Sequence, residues 1–215
     1  MLLANMKKPH IITISGKPGS GKSSTADKVA ELLGYTRHSS GDMVRQVLSQ
    51  SGMTLEKYNE LANDDHAFDA KVDEKLRNLR TKSDIVVDSR LGFYWLPESF
   101  KVYLDLDLDI ATARIFKDAV SNNARKSVGT NSSSLTEVSR QVRERMLTEQ
   151  NRFKKLYGVN PYDSNHFDLV IDTSRQNPQS VAIAVFDAYK DWLDSEIWEQ
   201  RHNSVPLGYS YKNQY

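Results

Sequence analysis

Apolar residues in this 215-residue chain fall into short, nearly continuous runs separated by longer stretches of helical spacing. The runs are rich in β-branched residues, which is typical of strands buried on both faces of a parallel sheet. Strands are predicted at residues 10–15, 35–39, 85–88, 100–106 and 167–172. Helices are predicted at residues 24–33, 43–48, 54–62, 66–79, 109–119, 135–156 and 178–198. The alternation predicts an α/β fold, with three α/β/α layers around a five-stranded parallel sheet.

A glycine-rich stretch after the first predicted strand matches the phosphate-binding P-loop, G-x-x-x-x-G-K-[ST]. It reads Gly16-Lys17-Pro18-Gly19-Ser20-Gly21-Lys22-Ser23, and Ser24 continues into the predicted helix. Glycines bring backbone N–H groups close to a polyphosphate, and the helix N-terminus adds a positive dipole end. Lys22 is therefore predicted to contact the β- and γ-phosphates of ATP, and Ser23 to ligate the Mg²⁺ that bridges them.

The third predicted strand ends in a carboxylate, Asp88, and an arginine follows at position 90. The carboxyl ends of parallel strands form the ligand-binding edge of a sheet, so Asp88 is predicted to be the second magnesium ligand, beside the P-loop. The guanidinium of Arg90 can donate two parallel hydrogen bonds to a phosphate group. From these residues alone, a capping aspartate and a surface arginine remain the alternative.

Two regions interrupt the regular alternation. Residues 40–82, approximately, lie between the second and third strands and predict a helical insert, the usual place for the second substrate of a P-loop protein. Residues 117–145, approximately, predict a basic lid. From 114 to 155 there are ten Lys or Arg and four acids, and the small polar residues 127–134 are typical of a flexible flap. A basic flap that closes would bring arginines over the phosphates and exclude water.

Arg145 and Arg152 lie seven residues apart on one predicted helix. Two helical turns place them on the same face, about 10 Å apart. That spacing would allow them to straddle a phosphoryl group in transfer. A solvated basic face explains the spacing equally well.

Composition narrows the range of partners. The net charge of +1 gives no general argument for binding nucleic acid or a membrane, and the absence of cysteine excludes a disulfide framework. The first nine residues lack the apolar core of a signal peptide, and no apolar run approaches a membrane span. We expect a cytoplasmic monomer with one domain over residues 1–198 and a polar tail at 199–215.

Several segments together resemble the archaeal-type cytidylate kinases, which are P-loop nucleoside monophosphate kinases. The P-loop and its strand are similar to the family's I-T-I-S-G-P-P-G-S-G-K-T-T, with Lys17 in place of a proline. Residues 40–45, 88–91, 152–159 and 167–174 resemble the family's A-G-[DE]-x-[FV]-R, [DE]-[GS]-R-L, R-Y-x-x-[IL]-Y-G-I and Y-D-L-V-I-[ND]-T-S. The segments occur in the family's order over roughly residues 10–190.

The resemblance implies transfer of the γ-phosphoryl group of Mg-ATP to CMP or dCMP. The acceptor would be bound by Ser40, Asp42, Arg45, Asp73 and Arg90, in which the two arginines grip its phosphate and Asp73 recognises base or sugar. Arg145 and Arg152 would be lid arginines that neutralise the transferred group, assisted by Arg114. The segment after Thr173 would pass near the adenine of ATP.

Three other functions remain compatible with the sequence. The first is a related kinase that acts on UMP, AMP, shikimate or dephospho-coenzyme A. The second is a nucleotide-binding regulator without phosphotransfer, although the chain lacks the N-K-x-D guanine motif. The third is a nucleic-acid-binding ATPase that uses the basic flap, and the nearly neutral net charge argues against it.

Overall fold

The computed structural model describes residues 8–52, 67–121 and 134–203. Within these residues, six parallel strands form one sheet in the order β2-β3-β1-β4-β5-β6. The strands are β1 (Ile11–Gly16), β2 (Thr36–Ser39), β3 (Ile85–Asp88), β4 (Phe100–Asp105), β5 (Leu169–Asp172) and β6 (Arg201–Asn203). The chain adds strands first on one side of β1 and then on the other. The carboxyl end of β1 is therefore a topological switch point, where α/β proteins bind ligands.

Helices connect the strands, as the spacing of apolar residues predicts. The described helices are α1 (Lys22–Leu33), α2 (Ser40–Gln50), α3 (Ala67–Asn78), the single turn α4 (Gly92–Trp95), α5 (Leu108–Ser121), α6 (Leu135–Tyr157) and α7 (Pro178–Asp194). Short 3₁₀ segments occupy Leu79–Thr81 and Ser164–His166. Helix ends carry the expected signals: Gly34 ends α1 in the left-handed conformation, and the Asn177 side chain caps α7 just before Pro178.

The core lies on both faces of the sheet. On one face, Ile12, Ile14 and neighbouring strand residues pack against α1 and α7. On the other face, Ile11 and strand β3 pack against Val47 of α2 and Leu76 of α3. Successive residues of β1 thus point to opposite layers, as the pleat of a strand requires. The predicted three-layer α/β/α fold is confirmed.

The predicted count of five strands is one short, because Arg201–Asn203 pairs with β5 as a sixth strand. This segment lies in the region predicted to be a polar tail. The last helix also ends earlier than predicted, at Asp194. The chain then turns, and the backbone N–H of Arg201 donates to the carbonyl oxygen of Asp168 at 3.0 Å. A three-residue polar strand has too little apolar alternation for the sequence pattern to identify it.

Other predictions fall partly or wholly outside the described residues. The predicted helix at 54–62 and the polar centre of the lid at 127–133 lie in the two internal gaps. The domain limits, including the insert near 40–82 and the lid near 117–145, stay predictions. Among the residues that are described, no helix has the length and apolar character needed to cross a membrane.

Candidate active site

The turn between β1 and α1 holds three glycines at positive φ. The angle is 145° at Gly16, 74° at Gly19 and 82° at Gly21. A Cβ atom on Gly16 would lie 2.2 Å from the carbonyl oxygen of Leu104 in β4, so any side chain there would displace the neighbouring strand. Gly21 precedes α1, whose N-terminus receives no side-chain cap. The first N–H groups of α1 are therefore not occupied by a capping side chain, as an anion site requires.

Lys22 folds back over this turn. Its Nζ donates to the carbonyl oxygens of Gly16 at 3.1 Å and Lys17 at 3.0 Å. Burial lowers the pKa of Lys22 well below its usual value, and the positive charge of Arg90 lowers the pKa further. A bound polyphosphate would oppose this shift, because a nearby anion favours the protonated amine.

The remaining P-loop side chains differ in their contacts and burial. Lys17 forms an ion pair with Asp105 at the end of β4, at 2.7 Å. Pro18 and Ser20 are buried, and the Ser20 hydroxyl has no hydrogen-bond partner among the described residues. Ser24 is exposed on the first turn of α1. The backbone N–H groups of Lys17 and Ser20 donate to the carbonyl oxygens of Leu104 at 3.2 Å and Lys17 at 3.3 Å, which fixes the path of the turn.

Ser23 and Asp88 meet where the sequence predicts a metal site. The Ser23 hydroxyl donates to Oδ2 of Asp88 at 2.7 Å. Neighbouring ligands of an octahedral Mg²⁺ lie about 3 Å apart when the bonds are 2.0–2.1 Å, so these oxygens have suitable spacing. Arg37 of β2 donates to the same Asp88 oxygen at 2.9 Å and pairs with Asp27 of α1 at 3.1 Å. Arg37 therefore fixes the orientation of the carboxylate.

Arg90 is almost enclosed, with 14% of its side chain exposed. Its Nη1 donates to the carbonyl oxygen of Gly16 at 2.8 Å, its Nε donates to Glu149 of α6, and its guanidinium lies 5.5 Å from the ring centre of Tyr162. Arg145 donates to the other oxygen of Glu149 at 2.9 Å. Burial would raise the pKa of Glu149, but Arg90 and Arg145 outweigh burial and hold it well below its usual value. Glu149 is thus ionised beside two guanidinium groups.

The first turns of α2 hold three of the residues predicted to bind the acceptor nucleotide, Ser40, Asp42 and Arg45. The Ser40 hydroxyl donates to the carbonyl oxygen of Asp88 at 3.3 Å, which ties α2 to the end of β3. Arg45 donates to Asp42, and this hydrogen bond lowers the pKa of the Asp42 carboxyl. Arg45 is 65% exposed, so it projects from α2 and is not built into the core.

Arg152 and Asp73 lie where α6 meets the insert helix α3. Arg152 pairs with Asp69 of α3 at 3.4 Å, and the Tyr157 hydroxyl donates to Asp73 at 2.6 Å. Burial raises the pKa of Asp73, and the Tyr157 hydrogen bond opposes the rise. Arg145 and Arg152 therefore have different partners, Glu149 and Asp69. Their joint action on one phosphoryl group stays a prediction.

Arg114 lies on α5 and holds the loop that follows β5. Its Nη2 donates to the carbonyl oxygens of Thr173 at 2.8 Å, Ser174 at 3.3 Å and Gln176 at 3.4 Å. Three carbonyls on one guanidinium fix the path of the loop. The structure thus places Arg114 at the segment predicted to pass near adenine.

The family model for the cytidylate kinase-like family matches residues 11–175 of this chain. The chain belongs to that family. The cytidylate kinase of Methanocella arvoryzae is 32% identical over 83% of this chain and 95% of its own length. The cytidylate kinase of Halobacterium salinarum is 33% identical over 92% of this chain and 96% of its own. This cytidylate kinase-like protein is accordingly a phosphotransferase, and the predicted resemblance is confirmed.

Solved structures agree on the fold. An uncharacterized protein from Eubacterium ventriosum superimposes with a TM-score of 0.62 at 14% identity, covering 84% of this chain and 98% of that chain. Shikimate kinase from Acinetobacter baumannii in complex with shikimate superimposes with a TM-score of 0.56 at 16% identity, covering 86% of this chain and 95% of that chain. At such identities the likeness concerns the fold alone.

Sequence reasoning did not single out Arg37, Glu149 or Tyr162 in this cytidylate kinase-like protein. Glu149 lies four residues after Arg145, which is the spacing of a helical ion pair and could have suggested that contact. Its contact with Arg90 spans 59 positions and leaves no local pattern. Tyr162 and Arg37 likewise reach the site only through the fold.

Proposed function

We propose that this protein transfers the γ-phosphoryl group of Mg-ATP to the 5′-phosphate of CMP or dCMP, giving CDP or dCDP. One observation carries the proposal. Lys22 of the P-loop and Arg90 from the end of β3 donate to the same carbonyl oxygen, that of Gly16, at 3.1 and 2.8 Å. Two cations from different elements converge where donor and acceptor phosphates have to meet.

On the donor side, residues 16–24 would bind the polyphosphate through backbone N–H groups and the Lys22 amine. Ser23 and Asp88 would hold Mg²⁺, and Arg37 would keep the Asp88 carboxylate in place. Among the described residues no group of three or more His, Cys, Asp or Glu side chains offers another metal site. When bound, Mg²⁺ neutralises charge on the β- and γ-phosphates.

On the acceptor side, Arg45 and Arg90 would bind the monophosphate, with Ser40 and Asp42 at the same helix end. Asp73 would accept a hydrogen bond from the exocyclic amino group of cytosine. The Tyr157 hydroxyl donates to Oδ2 of Asp73, and the base would bind the same carboxylate.

Phosphoryl transfer needs no strong base here, because the acceptor phosphate is already anionic. Catalysis would consist of positioning and charge neutralisation, with Lys22 and Arg145 nearest the P-loop and Arg152 from the insert side. Arg114 would act through the loop that it holds. We further propose a cytoplasmic monomer that binds small nucleotides and neither nucleic acid nor a membrane.

An ADP-release assay with Mg-ATP tests this function against CMP, dCMP, UMP, AMP and GMP. We expect the highest kcat/KM for CMP or dCMP, and loss of turnover in Lys22→Ala, which removes the amine at the phosphates. Lys190→Ala makes the same change at an exposed site on α7 and should keep full activity. Another monophosphate as best acceptor would refute cytidylate specificity, and no stimulation by any of them would refute phosphotransfer to nucleotides.

A further inference from the structure

Glu149 is a carboxylate that lies among three cationic side chains. Both of its oxygens are engaged: one accepts from Arg145 Nε, and the other from Arg90 Nε and the Tyr162 hydroxyl. Lys22 lies in the same electrostatic field: burial lowers its pKa most, Arg90 and Arg145 lower it further, and Asp88 and Glu149 raise it. Only 17% of the Glu149 side chain is exposed.

The Glu149 carboxylate accepts hydrogen bonds from Arg90 and Arg145 as the oxygens of a phosphate group would. Arginine binds carboxylate and phosphate oxygens in the same way, through charge-assisted hydrogen bonds, and each arginine here donates to Glu149 through its Nε. Lys22, Arg90 and Arg145 repel one another, most strongly between Lys22 and Arg90, which are little screened by solvent. Glu149 supplies negative charge to both arginines, as Asp88 does to Lys22.

We propose that Glu149 is an internal counter-anion that takes the place of substrate phosphate toward Arg90 and Arg145 while the nucleotide site is empty. The inference rests on the proposed function. Arg90 keeps a second anchor, the Gly16 carbonyl, and stays in place when phosphate arrives. Arg145 is half exposed and exchanges the carboxylate for phosphate. Glu149 is therefore a positioning residue that competes with the ligand.

An ordinary structural ion pair would behave differently. If Glu149 only stabilised the fold, its loss would weaken the site and the binding of anions with it. If Glu149 competes with phosphate, its loss frees two guanidinium groups, and anions bind more tightly. The two roles thus predict opposite changes in anion affinity.

The test compares Glu149→Gln with Glu144→Gln, using inorganic pyrophosphate as the probe. Glu144 lies on the same helix, is 58% exposed and pairs only with Arg140 among its described contacts. In Glu149→Gln we expect a lower melting temperature without ligand, at least about tenfold tighter pyrophosphate binding by calorimetry, and a larger pyrophosphate-induced rise in melting temperature. Glu144→Gln should match the wild-type protein in all three.

Unchanged or weaker pyrophosphate binding by Glu149→Gln would overturn the proposal. If that variant does not fold, Glu149→Asp retains the charge but shortens its reach, and tighter pyrophosphate binding is again expected, with wild-type affinity as the overturning result. Pyrophosphate binding requires neither a nucleoside nor turnover. Failure of this inference is therefore distinguishable from failure of the proposed kinase activity.

Discussion

The carboxylate of Asp73 is buried between α3 and α6, where Tyr157 donates to it at 2.6 Å. Burial raises its pKa, the Tyr157 hydrogen bond opposes this, and Asp69 adds to the rise. A carboxyl whose pKa is raised by folding ionises first in the unfolded chain. Stability is therefore lost as pH rises from the usual value of 3.8 through the raised value, and the loss is complete above it.

Asp73→Asn should raise the melting temperature at pH 7 and flatten the pH dependence of stability just above pH 4, because the amide does not ionise. Tyr157 would hold the amide oxygen, so the amide nitrogen would face the base. A donor there opposes the amino group of cytosine and suits the O4 carbonyl of uracil. We expect the CMP to UMP ratio of kcat/KM to fall by about tenfold or more.

Asp191→Asn makes the same change at a carboxylate that is 61% exposed and should alter neither property. Thermal melts between pH 4 and 8 and steady-state kinetics with both nucleotides give the readouts. An unchanged CMP to UMP ratio in Asp73→Asn would show that Asp73 does not contact the base.

At the scale of elements, α5 is joined to the loop after β5 through the side chain of Arg114. The helix carries Arg114 at its centre and leads at Ser121 into the predicted lid. The loop carries the carbonyls that Arg114 binds and then enters α7 at Pro178. A single guanidinium thus connects the lid side of the molecule with the predicted adenine segment.

Arg114→Lys should raise the KM for ATP roughly tenfold and leave the KM for CMP nearly unchanged. All three carbonyls are reached by the one nitrogen Nη2, and the shorter lysine side chain places its amine short of that position, so part of the loop loses its donor. Arg143→Lys makes the same exchange at a 58% exposed residue of α6 and serves as the control. Initial rates at varied ATP concentration measure the KM for ATP. Equal KM values in Arg114→Lys and the wild-type protein would contradict the predicted role of this loop in ATP binding.

At the scale of the whole molecule, the segment after α7 adds the edge strand β6 to the sheet. The Trp198 indole donates to the carbonyl oxygen of Asp168 at 3.1 Å, and its ring lies 5.7 Å from that of Phe100 in β4. The guanidinium of Arg201 in β6 lies 4.1 Å from the centre of the Trp198 ring. Trp198 therefore fastens β6 to the core that also supports the site.

Trp198→Ala should lower the free energy of unfolding by on the order of 2 kcal/mol, because it removes apolar burial and one of the two hydrogen bonds to the Asp168 carbonyl oxygen. Ile197→Ala, at a neighbouring residue that is 85% exposed, should change it by less than about 0.5 kcal/mol. Urea denaturation measures both. Equal stabilities for the two variants would mean that the segment contributes nothing to the fold.

Local patterns in the sequence determined the α/β class, the P-loop, the longer described helices and the strand that ends at Asp88. Backbone periodicity and glycine conformation depend on neighbouring residues, so they can be read along the chain. Ser23 and Asp88 lie 65 positions apart, yet their meeting could be predicted, because each stands next to the carboxyl end of a buried strand.

Only the tertiary structure decided the partners of the charged side chains. Glu149 lies 59 positions from Arg90, Arg152 pairs with Asp69 on another helix, and Arg114 binds a loop that no spacing connects to it. The sixth strand also depends on an edge of β5 that exists only after the sheet has formed. The partners of long side chains and short polar strands are residues distant in sequence that the fold places nearby. Local periodicity does not report which residues these are.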